Sequence, residues 1–205
     1  MTETTFTKER IAGAILAGGQ ALRYGGKAKG LLKAPSGLSI IQHEIRQLNL
    51  AGIDEIIIVA SDPKPWRDCA CNVVIDLRSG VGPLAGIEAA LAHYGSSYEA
   101  TLFLPCDLPA ITSTEISQLQ AAFTSNSAPV AVAVTNDLFW EPLCAVVHNS
   151  LLKIVSQAID DGERRPQSVW RDAGAIEVHF EDATPFFNIN TPRDMAHWRA
   201  GLAKA

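Results

Sequence analysis

The sequence predicts an α/β fold with a mostly parallel central sheet and helices on both of its faces. Short β-branched apolar runs alternate along the chain with segments that carry apolar residues at helical spacing. Strands that alternate with crossover helices pair in parallel, and the helices then cover both faces of the sheet. A hydrophobic fraction of 47% and a charged fraction of 19% over 205 residues describe an ordinary globular protein with a substantial core.

The first half of the chain contains the clearest elements. An apolar run, residues 11–17, ends in a glycine-rich loop. The helix that follows has an N-cap in Ser39, apolar residues at helical spacing and a stop before Gly52. Thr112 and Glu115 have the spacing of a capping box, which opens a further helix. We predict strands at 11–17, 55–60, 73–75 and 101–105, and helices at 39–50, 84–94 and 112–123.

The second half is less regular. Two apolar runs are joined by a polar turn, and Thr191 is a good N-cap with Pro192 at the first helical position. We predict strands at 130–134, 143–147 and 175–180, helices at 150–161 and 167–171, and a last helix after Thr191. The whole is a Rossmann-like arrangement. Residues 1–10 are polar and are predicted to be a disordered lead, and residues 11–205 are predicted to form a single domain.

Composition excludes several classes of function. The net charge of −5 argues against non-specific binding of nucleic acid. No apolar run approaches the roughly 20 residues that span a bilayer, and residues 1–10 lack the apolar region of a signal peptide. We therefore expect no membrane partner and a cytoplasmic location. Cys69 and Cys71 have no second Cys or His pair at ligand spacing, so structural zinc is not expected.

The loop after the first strand is the most informative segment. It carries four glycines and three cations, namely Gly18, Gly19, Gly25, Gly26, Arg23, Lys27 and Lys29. Glycines bring bare N–H groups close to a ligand, and such groups beside fixed cations suit a polyphosphate. Ala28 stands where a Walker A loop needs Ser or Thr, and Gln20 stands where a dinucleotide fingerprint needs Gly. We expect a phosphate loop of another type; the alternative is a flexible loop with solvated charges.

A second informative segment places one carboxylate at a strand end. Four apolar residues lead to Asp107, and Pro105 and Pro109 stiffen the backbone on either side. Mg²⁺ prefers oxygen ligands and often binds through one or two carboxylates together with substrate phosphates. Asp107 is therefore a candidate magnesium ligand, or otherwise a cap or turn residue.

Two further segments contain candidate binding groups. The run from Gly82 to Gly86 is a glycine-proline turn that feeds a helix N-terminus, whose free N–H groups suit anions or purine acceptor atoms. A purely structural turn would have the same sequence. Asn188 and Asn190 alternate in an extended segment, which would project both amides on one face. Otherwise they are incidental residues before a capped helix.

These segments together resemble the signature of the molybdenum cofactor guanylyltransferases, the MobA family. The matching runs are the loop from Leu16 to Leu32, the Gly-Pro-Leu-Ala-Gly run at 82–86, the Pro-Cys-Asp-x-Pro run at 105–109 and the Asn-x-Asn-Thr-Pro run at 188–192. The resemblance implies a nucleotide-diphospho-sugar transferase-like fold and makes residues 11–205 a nucleotidyltransferase domain. The implied reaction transfers GMP from GTP to the terminal phosphate of molybdopterin and releases pyrophosphate. One departure is the run Ile58-Val-Ala-Ser61, because the family often places an asparagine at the end of the strand before Ser61, so one of the family's base or ribose contacts is not implied here.

The resemblance also implies residue roles. Lys29 and Arg23 would stabilise phosphates and Asp107 would hold Mg²⁺, while Asn188 and Asn190 would orient molybdopterin. The implied GTP contacts are Leu16, Ala17, Gly18, Gly19, Lys29, Asp76, Gly82, Pro83, Leu84, Gly86 and Asp107. Asp76 could accept hydrogen bonds from guanine N1–H and N2–H₂ or from ribose hydroxyls. The Gly18-Gly19 pair favours guanine, because cytidine-specific relatives often have Ala-Gly there.

Other functions stay open at this point. A cytidylyltransferase or a sugar-phosphate nucleotidyltransferase would share the loop, and a non-catalytic nucleotide-binding partner protein would share the fold.

Expected partners are GTP, molybdopterin, other cofactor-biosynthesis proteins and the apo-molybdoenzyme. Residues 162–165, Gly-Glu-Arg-Arg, resemble a family segment but also suit a solvated charged surface.

Overall fold

The structure is a computed structural model that describes residues 10–18, 28–34, 36–76, 78, 80–136 and 138–200. The predicted lead lies outside these ranges except for Arg10. The guanidinium of Arg10 lies 4.6 Å from the centroid of the Tyr98 ring.

The described residues form seven strands and six α-helices. The strands are β1 (Ile11–Leu16), β2 (Ile56–Ala60), β3 (Asn72–Ile75), β4 (Ala100–Pro105), β5 (Val130–Thr135), β6 (Phe139–His148) and β7 (Ile176–Phe180). The helices are α1 (Ile40–Leu50), α2 (Pro83–Tyr94), α3 (Ser113–Asn126), α4 (Leu152–Asp160), α5 (Pro166–Asp172) and α6 (Pro192–Arg199).

The strands form one sheet in the order β3-β2-β1-β4-β6-β5-β7. Strand β6 pairs antiparallel with β4 and β5, and the other neighbouring strands pair in parallel. Side chains of β1 alternate between two cores: Ile15 packs with residues of α1 and α3, and Leu16 packs with residues of α2, α4 and α5. The predicted mostly parallel sheet with helices on both faces is confirmed.

Three helix starts follow the predicted capping chemistry. At each, the N-cap side chain accepts a backbone N–H, and the side chain three residues later accepts the N–H of the N-cap. The pairs are Ser39 with Gln42, Thr112 with Glu115, and Thr191 with Asp194.

The largest difference from the predicted elements is in β6. The predicted strand 143–147 begins earlier, because Phe139 pairs with Thr135 across a tight hairpin. A register shift at Val132 and Ala133 lets the chain accommodate Pro142 within this strand. The polar and aromatic residues at 139–142 hid the strand from pattern analysis.

The register of the parallel strands brings several strand ends to one edge. Leu16 pairs with Val59 on one side and with Pro105 on the other, and Ala60 pairs with Ile75. The residues that follow these four strands therefore lie next to one another. Within the described part of the chain, no helix has the length and apolar character that crossing a membrane requires.

A short 3₁₀ turn, Lys29–Leu31, packs against this edge. At Gly30 a Cβ atom would lie 3.1 Å from Cη2 of the buried Trp66 ring and 3.2 Å from the carbonyl oxygen of Cys106. Both distances are shorter than ordinary van der Waals contact. A residue without a side chain thus allows the turn, and Lys29 with it, to approach the end of β4.

We expect Gly30→Ala to destabilise the protein by about 1–3 kcal/mol, because the added methyl group must displace the Trp66 ring or the β4 backbone. Urea denaturation measures this change in the free energy of unfolding. Trp66→Phe removes the ring atoms nearest to the added methyl, so Gly30→Ala should cost less in that background. Equal stability of the Gly30→Ala variant and the unsubstituted protein would contradict the close approach.

Candidate active site

A cavity of about 930 Å³ lies at the edge where the parallel strands end. Most of the predicted site residues line it. These are Leu16, Gly18, Lys29, Asp76, Gly82, Pro83, Gly86, Asp107, Asn188 and Asn190. Ala17 and Leu84 are buried and do not line the cavity, and Gly19 and Arg23 lie outside the described residues. A second cavity, of about 420 Å³ and beside Cys69 and Cys71, contains none of the predicted residues.

Backbone hydrogen bonds join the ends of neighbouring strands beneath the cavity. The N–H of Ala17 donates to the carbonyl of Val59 at 2.8 Å, and the N–H of Cys106 donates to the carbonyl of Leu16 at 3.1 Å. These bonds continue the sheet by one residue, so the first loop and the segment around Asp107 leave the sheet side by side.

Gly18 and Asp76 share one part of the cavity. A Cβ atom on Gly18 would lie 3.4 Å from Oδ2 of Asp76. Asp76 directly follows β3, and its partial burial raises the pKa of its carboxyl. The carboxylate therefore faces the start of the glycine loop, where the sequence predicted a nucleotide contact.

The start of α2 forms the neighbouring wall. Gly82 is its N-cap, with a φ of 79° that favours glycine, and Pro83 is the first helical residue. Gly82 is exposed, whereas Leu84 and Ala85 behind it are buried, and the N–H of Ala85 donates to the carbonyl of Gly82 at 3.2 Å. Arg78 also lines this region and is held by Glu88, whose Oε2 lies 2.7 Å from its Nε.

Lys29 joins three of the sequence segments at one point. Its ammonium donates to Oδ2 of Asp107 at 3.3 Å and to Oδ1 of Asn190 at 2.8 Å. Only 13% of the Lys29 side chain and 17% of the Asp107 side chain are exposed, so the ion pair is largely shielded from solvent. Residues 78 and 161 positions away from Lys29 thus meet it in the cavity.

Asp107 is the carboxylate best placed for a cation. Burial raises the pKa of its carboxyl, and the nearby ammonium of Lys29 partly offsets that effect. The described residues contain no cluster of three His, Cys, Asp or Glu side chains that could hold a metal alone. A single carboxylate in an open cavity suits Mg²⁺, which completes its coordination with phosphate oxygens and water.

The backbone on both sides of Asp107 is also held. The N–H of Ile189 donates to the carbonyl of Asp107 at 3.0 Å. The N–H of Leu108 donates to Oε1 of Glu44 at 3.1 Å. Glu44 is completely buried, and this burial raises the pKa of its carboxyl well above the usual range.

The two asparagines line the same cavity but have different partners. Asn190 accepts the hydrogen bond from Lys29, whereas the amide of Asn188 donates to the carbonyl of Phe186 at 3.2 Å. Asp194, three residues after the N-cap Thr191, accepts from the N–H of Asn190 and holds this segment in place. Asn190 is therefore tied to the Lys29–Asp107 pair, and Asn188 is tied to the short 3₁₀ turn Thr184–Phe186 that precedes it.

Pattern analysis missed several cavity residues. Ser61, Arg78, Leu143 and Thr191 all line the cavity. Ser61 follows β2 as Gly18 follows β1, so its place after a parallel strand was an available signal. The Gly-Glu-Arg-Arg segment is not among the residues that line this cavity. Glu163 there accepts the backbone N–H groups of Arg165 and Arg164, which lower the pKa of its carboxyl to about 2.

The chain is similar to proteins of one family over most of its length. A family model of the MobA-like NTP transferase domain matches residues 13–176. A molybdenum cofactor guanylyltransferase of Pseudomonas fluorescens is 34% identical over 181 residues, which are 87% of this chain and 88% of that protein. One of Yersinia pestis is 32% identical over 190 residues, which are 92% of this chain and 94% of that protein.

A solved structure has the same fold. The crystal structure of molybdopterin-guanine dinucleotide biosynthesis protein A from Archaeoglobus fulgidus superposes with a TM-score of 0.75 at 22% identity, over 92% of this chain and 97% of that chain. The chain therefore belongs to the MobA-like NTP transferase family, and its fold is that of the nucleotide-diphospho-sugar transferases.

Proposed function

We propose that this member of the MobA-like NTP transferase family transfers GMP from GTP to the terminal phosphate of molybdopterin and releases pyrophosphate. The observation that carries this proposal is the meeting of Lys29, Asp107 and Asn190 in one cavity. Similarity to named guanylyltransferases supports the choice of nucleotide and acceptor. The product would pass in the cytoplasm to another cofactor-biosynthesis protein or to the apo-molybdoenzyme.

The part of the cavity between Gly18, Asp76 and α2 would hold the nucleoside of GTP. Backbone N–H groups of the glycine loop would donate to guanine acceptor atoms or to phosphate oxygens, and the N-terminal end of α2 would favour the negative charge of the phosphates. The Asp76 carboxylate can accept from the N–H groups on the edge of guanine or from ribose hydroxyls. Gly19 would extend this contact, and Arg23 would add a second cation to Lys29.

Lys29 and Asp107 would act on the phosphates. The acceptor is itself a phosphate and already anionic, so in-line attack at the α-phosphorus depends on alignment and charge neutralisation more than on a general base. Lys29 can donate to a phosphate oxygen with the same ammonium that donates to Asp107 and Asn190. Asp107 would hold Mg²⁺, which when bound supplies positive charge to the triphosphate and the leaving pyrophosphate.

The remaining side of the cavity would receive molybdopterin. Asn188 and Asn190 offer neutral donors and acceptors there, and Leu143 adds an apolar contact for the pterin ring. Because Asn190 also contacts Lys29, acceptor binding and the position of the catalytic ammonium would be linked.

GTP with Mg²⁺ should stabilise the protein more than CTP, ATP or UTP with Mg²⁺, because the cavity offers backbone donors and the Asp76 carboxylate to guanine. At about 100 times its dissociation constant, a ligand raises the free energy of unfolding by about 2.7 kcal/mol. For a chain of this size the melting temperature should rise by about 5–10 °C. Thermal denaturation with each nucleotide measures this. An equal or larger shift with CTP would assign the chain to cytidylyl transfer.

Lys29→Ala should lower turnover on the order of 10²-fold, because a positioned charge on the developing transition state is worth about 3–4 kcal/mol. A pyrophosphate-release assay with GTP and molybdopterin measures the rate. Lys33→Ala is the matched control, since Lys33 is exposed and does not line the cavity, and it should retain nearly full activity. Retention of more than about half of the activity by Lys29→Ala would remove Lys29 from the phosphate site.

Asp107→Asn should lower turnover on the order of 10²-fold or more at ordinary Mg²⁺ concentrations, because a neutral amide loses the charge that anchors the cation. The measurement is activity as a function of Mg²⁺ concentration at saturating GTP. Asp76→Asn should instead weaken GTP binding and leave the half-saturating Mg²⁺ concentration unchanged. If that concentration stays unchanged in the Asp107→Asn variant, Asp107 is not the metal ligand.

A further inference from the structure

Helix α1 presents three polar side chains to the segment that joins β4 to α3 and to the first residue of α3, Ser113. His43 Nε2–H donates to the carbonyl of Ile111 at 2.8 Å, and Gln47 Oε1 accepts from the N–H of Ser113 at 2.9 Å. Between them, Oε1 of Glu44 accepts from the N–H of Leu108 at 3.1 Å. This irregular segment lacks the regular hydrogen bonds of a helix or strand, so the side chains of α1 satisfy its backbone groups instead.

Glu44 is the unusual member of this row. Its side chain has no exposure to solvent, and its Oε2 has no hydrogen-bond partner among the described residues. Its carboxyl is also close enough to Asp107 for the two to interact unfavourably when charged. A buried carboxyl with one unpaired oxygen costs free energy, and the hydrogen bond that its other oxygen makes goes to the N–H of Leu108.

The bond from Glu44 holds one specific peptide unit. The N–H of Leu108 and the carbonyl of Asp107 belong to the same peptide plane, and the carbonyl accepts from the N–H of Ile189 at 3.0 Å. Glu44 and Ile189 therefore form hydrogen bonds with opposite ends of this peptide unit and fix its orientation. Rotation of the plane would turn the Asp107 side chain away from Lys29 and the cavity.

We infer that Glu44 is a positioning residue, which orients the Asp107 carboxylate toward the cation site by fixing the Asp107–Leu108 peptide. The inference rests on the proposed function, in which Asp107 holds Mg²⁺. A metal-binding side chain must be held within about 10–20° of its productive orientation by the residues that pack against it and form hydrogen bonds with it. Here Glu44 of α1 restrains the Asp107–Leu108 peptide from the buried side, and the N–H of Ile189 restrains it from the side of Asn188 and Asn190.

The test compares substitutions at Glu44 by activity as a function of Mg²⁺ concentration at saturating GTP. Glu44→Leu removes the acceptor oxygen, and Glu44→Asp shortens the side chain by one methylene group so that its carboxylate no longer reaches the N–H of Leu108. Both substitutions should raise the half-saturating Mg²⁺ concentration about tenfold, which is the effect of one lost hydrogen bond. Turnover should recover at high Mg²⁺. Glu44→Gln keeps an acceptor oxygen at the same reach and should stay within about twofold of the unsubstituted enzyme.

Gln47→Leu is the matched control. It removes a hydrogen bond from the same helix to the same segment, but at Ser113, six positions beyond Asp107. It should lower the melting temperature without changing the half-saturating Mg²⁺ concentration. Hydrogen exchange of the Leu108 amide gives an independent readout, since it should accelerate in Glu44→Leu and Glu44→Asp but not in Glu44→Gln or Gln47→Leu.

Two outcomes would overturn the inference: an unchanged Mg²⁺ requirement in folded Glu44→Leu or Glu44→Asp, or an equal change in Gln47→Leu. The Asp107→Asn variant, measured in parallel, separates this failure from that of the proposed function. If Asp107→Asn alters the Mg²⁺ requirement and the Glu44 variants do not, only the positioning role fails. If Asp107→Asn does not alter it, the metal role of Asp107 fails as well.

Discussion

The contact between the ammonium of Lys29 and the carboxylate of Asp107 is the interaction on which the rest of the site depends. Nζ of Lys29 and Oδ2 of Asp107 lie 3.3 Å apart, and both side chains are largely shielded from water. A shielded pair interacts more strongly than an exposed one, but it also costs more to desolvate. The pair therefore suits a site whose final ligands are charged, because phosphate oxygens can take up the ammonium and a divalent cation can take up the carboxylate.

Two further carboxyl groups lie near Asp107, that of the completely buried Glu44 and that of the partly buried Glu141. Burial is the main cause that raises the pKa values of Glu44, Asp107 and Glu141, and the charge of Asp107 raises those of the other two further. Such an environment favours a cation near Asp107. Burial raises the pKa of the Cys106 thiol in the same region, so this residue packs as a small apolar side chain and is a poor nucleophile.

Close packing around Gly30 places the ammonium of Lys29 beside the carboxylate of Asp107. Gly30 admits the Lys29 turn against Trp66 and the end of β4, and the carbonyl of Asp107 is fixed by Ile189 from the far end of the chain. The cavity is thus bounded by the ends of strands from the first half of the chain and by the segment before α6. In the proposed function, the nucleotide would lie against β1, β3 and α2, whereas the acceptor would lie against the segment before α6. Asn190 would contribute to both parts, since it accepts a hydrogen bond from Lys29, whereas the sequence had predicted that Asn188 and Asn190 serve the acceptor alone.

The sequence by itself determined the alternation of strands and helices, the caps at Ser39, Thr112 and Thr191, and the segments that line the cavity. These features depend on local spacing, backbone preference and hydrogen bonds within a few residues, all of which are visible in a linear pattern. The sequence did not reveal the full length of β6, because its pairing with β5 compensates for a polar and proline-containing start.

Only the tertiary structure decided which of these groups meet. The contacts of Lys29 with Asp107 and Asn190 span 78 and 161 positions, and the support of Leu108 by Glu44 spans 64. Nothing in the helical pattern of residues 39–50 distinguishes Glu44 from an ordinary polar residue, and its contact with Leu108 arises from the packing of α1 against the segment that follows β4. Contacts of this kind depend on strand order and register, which arise from the packing of the whole chain and leave no periodic signal in the sequence.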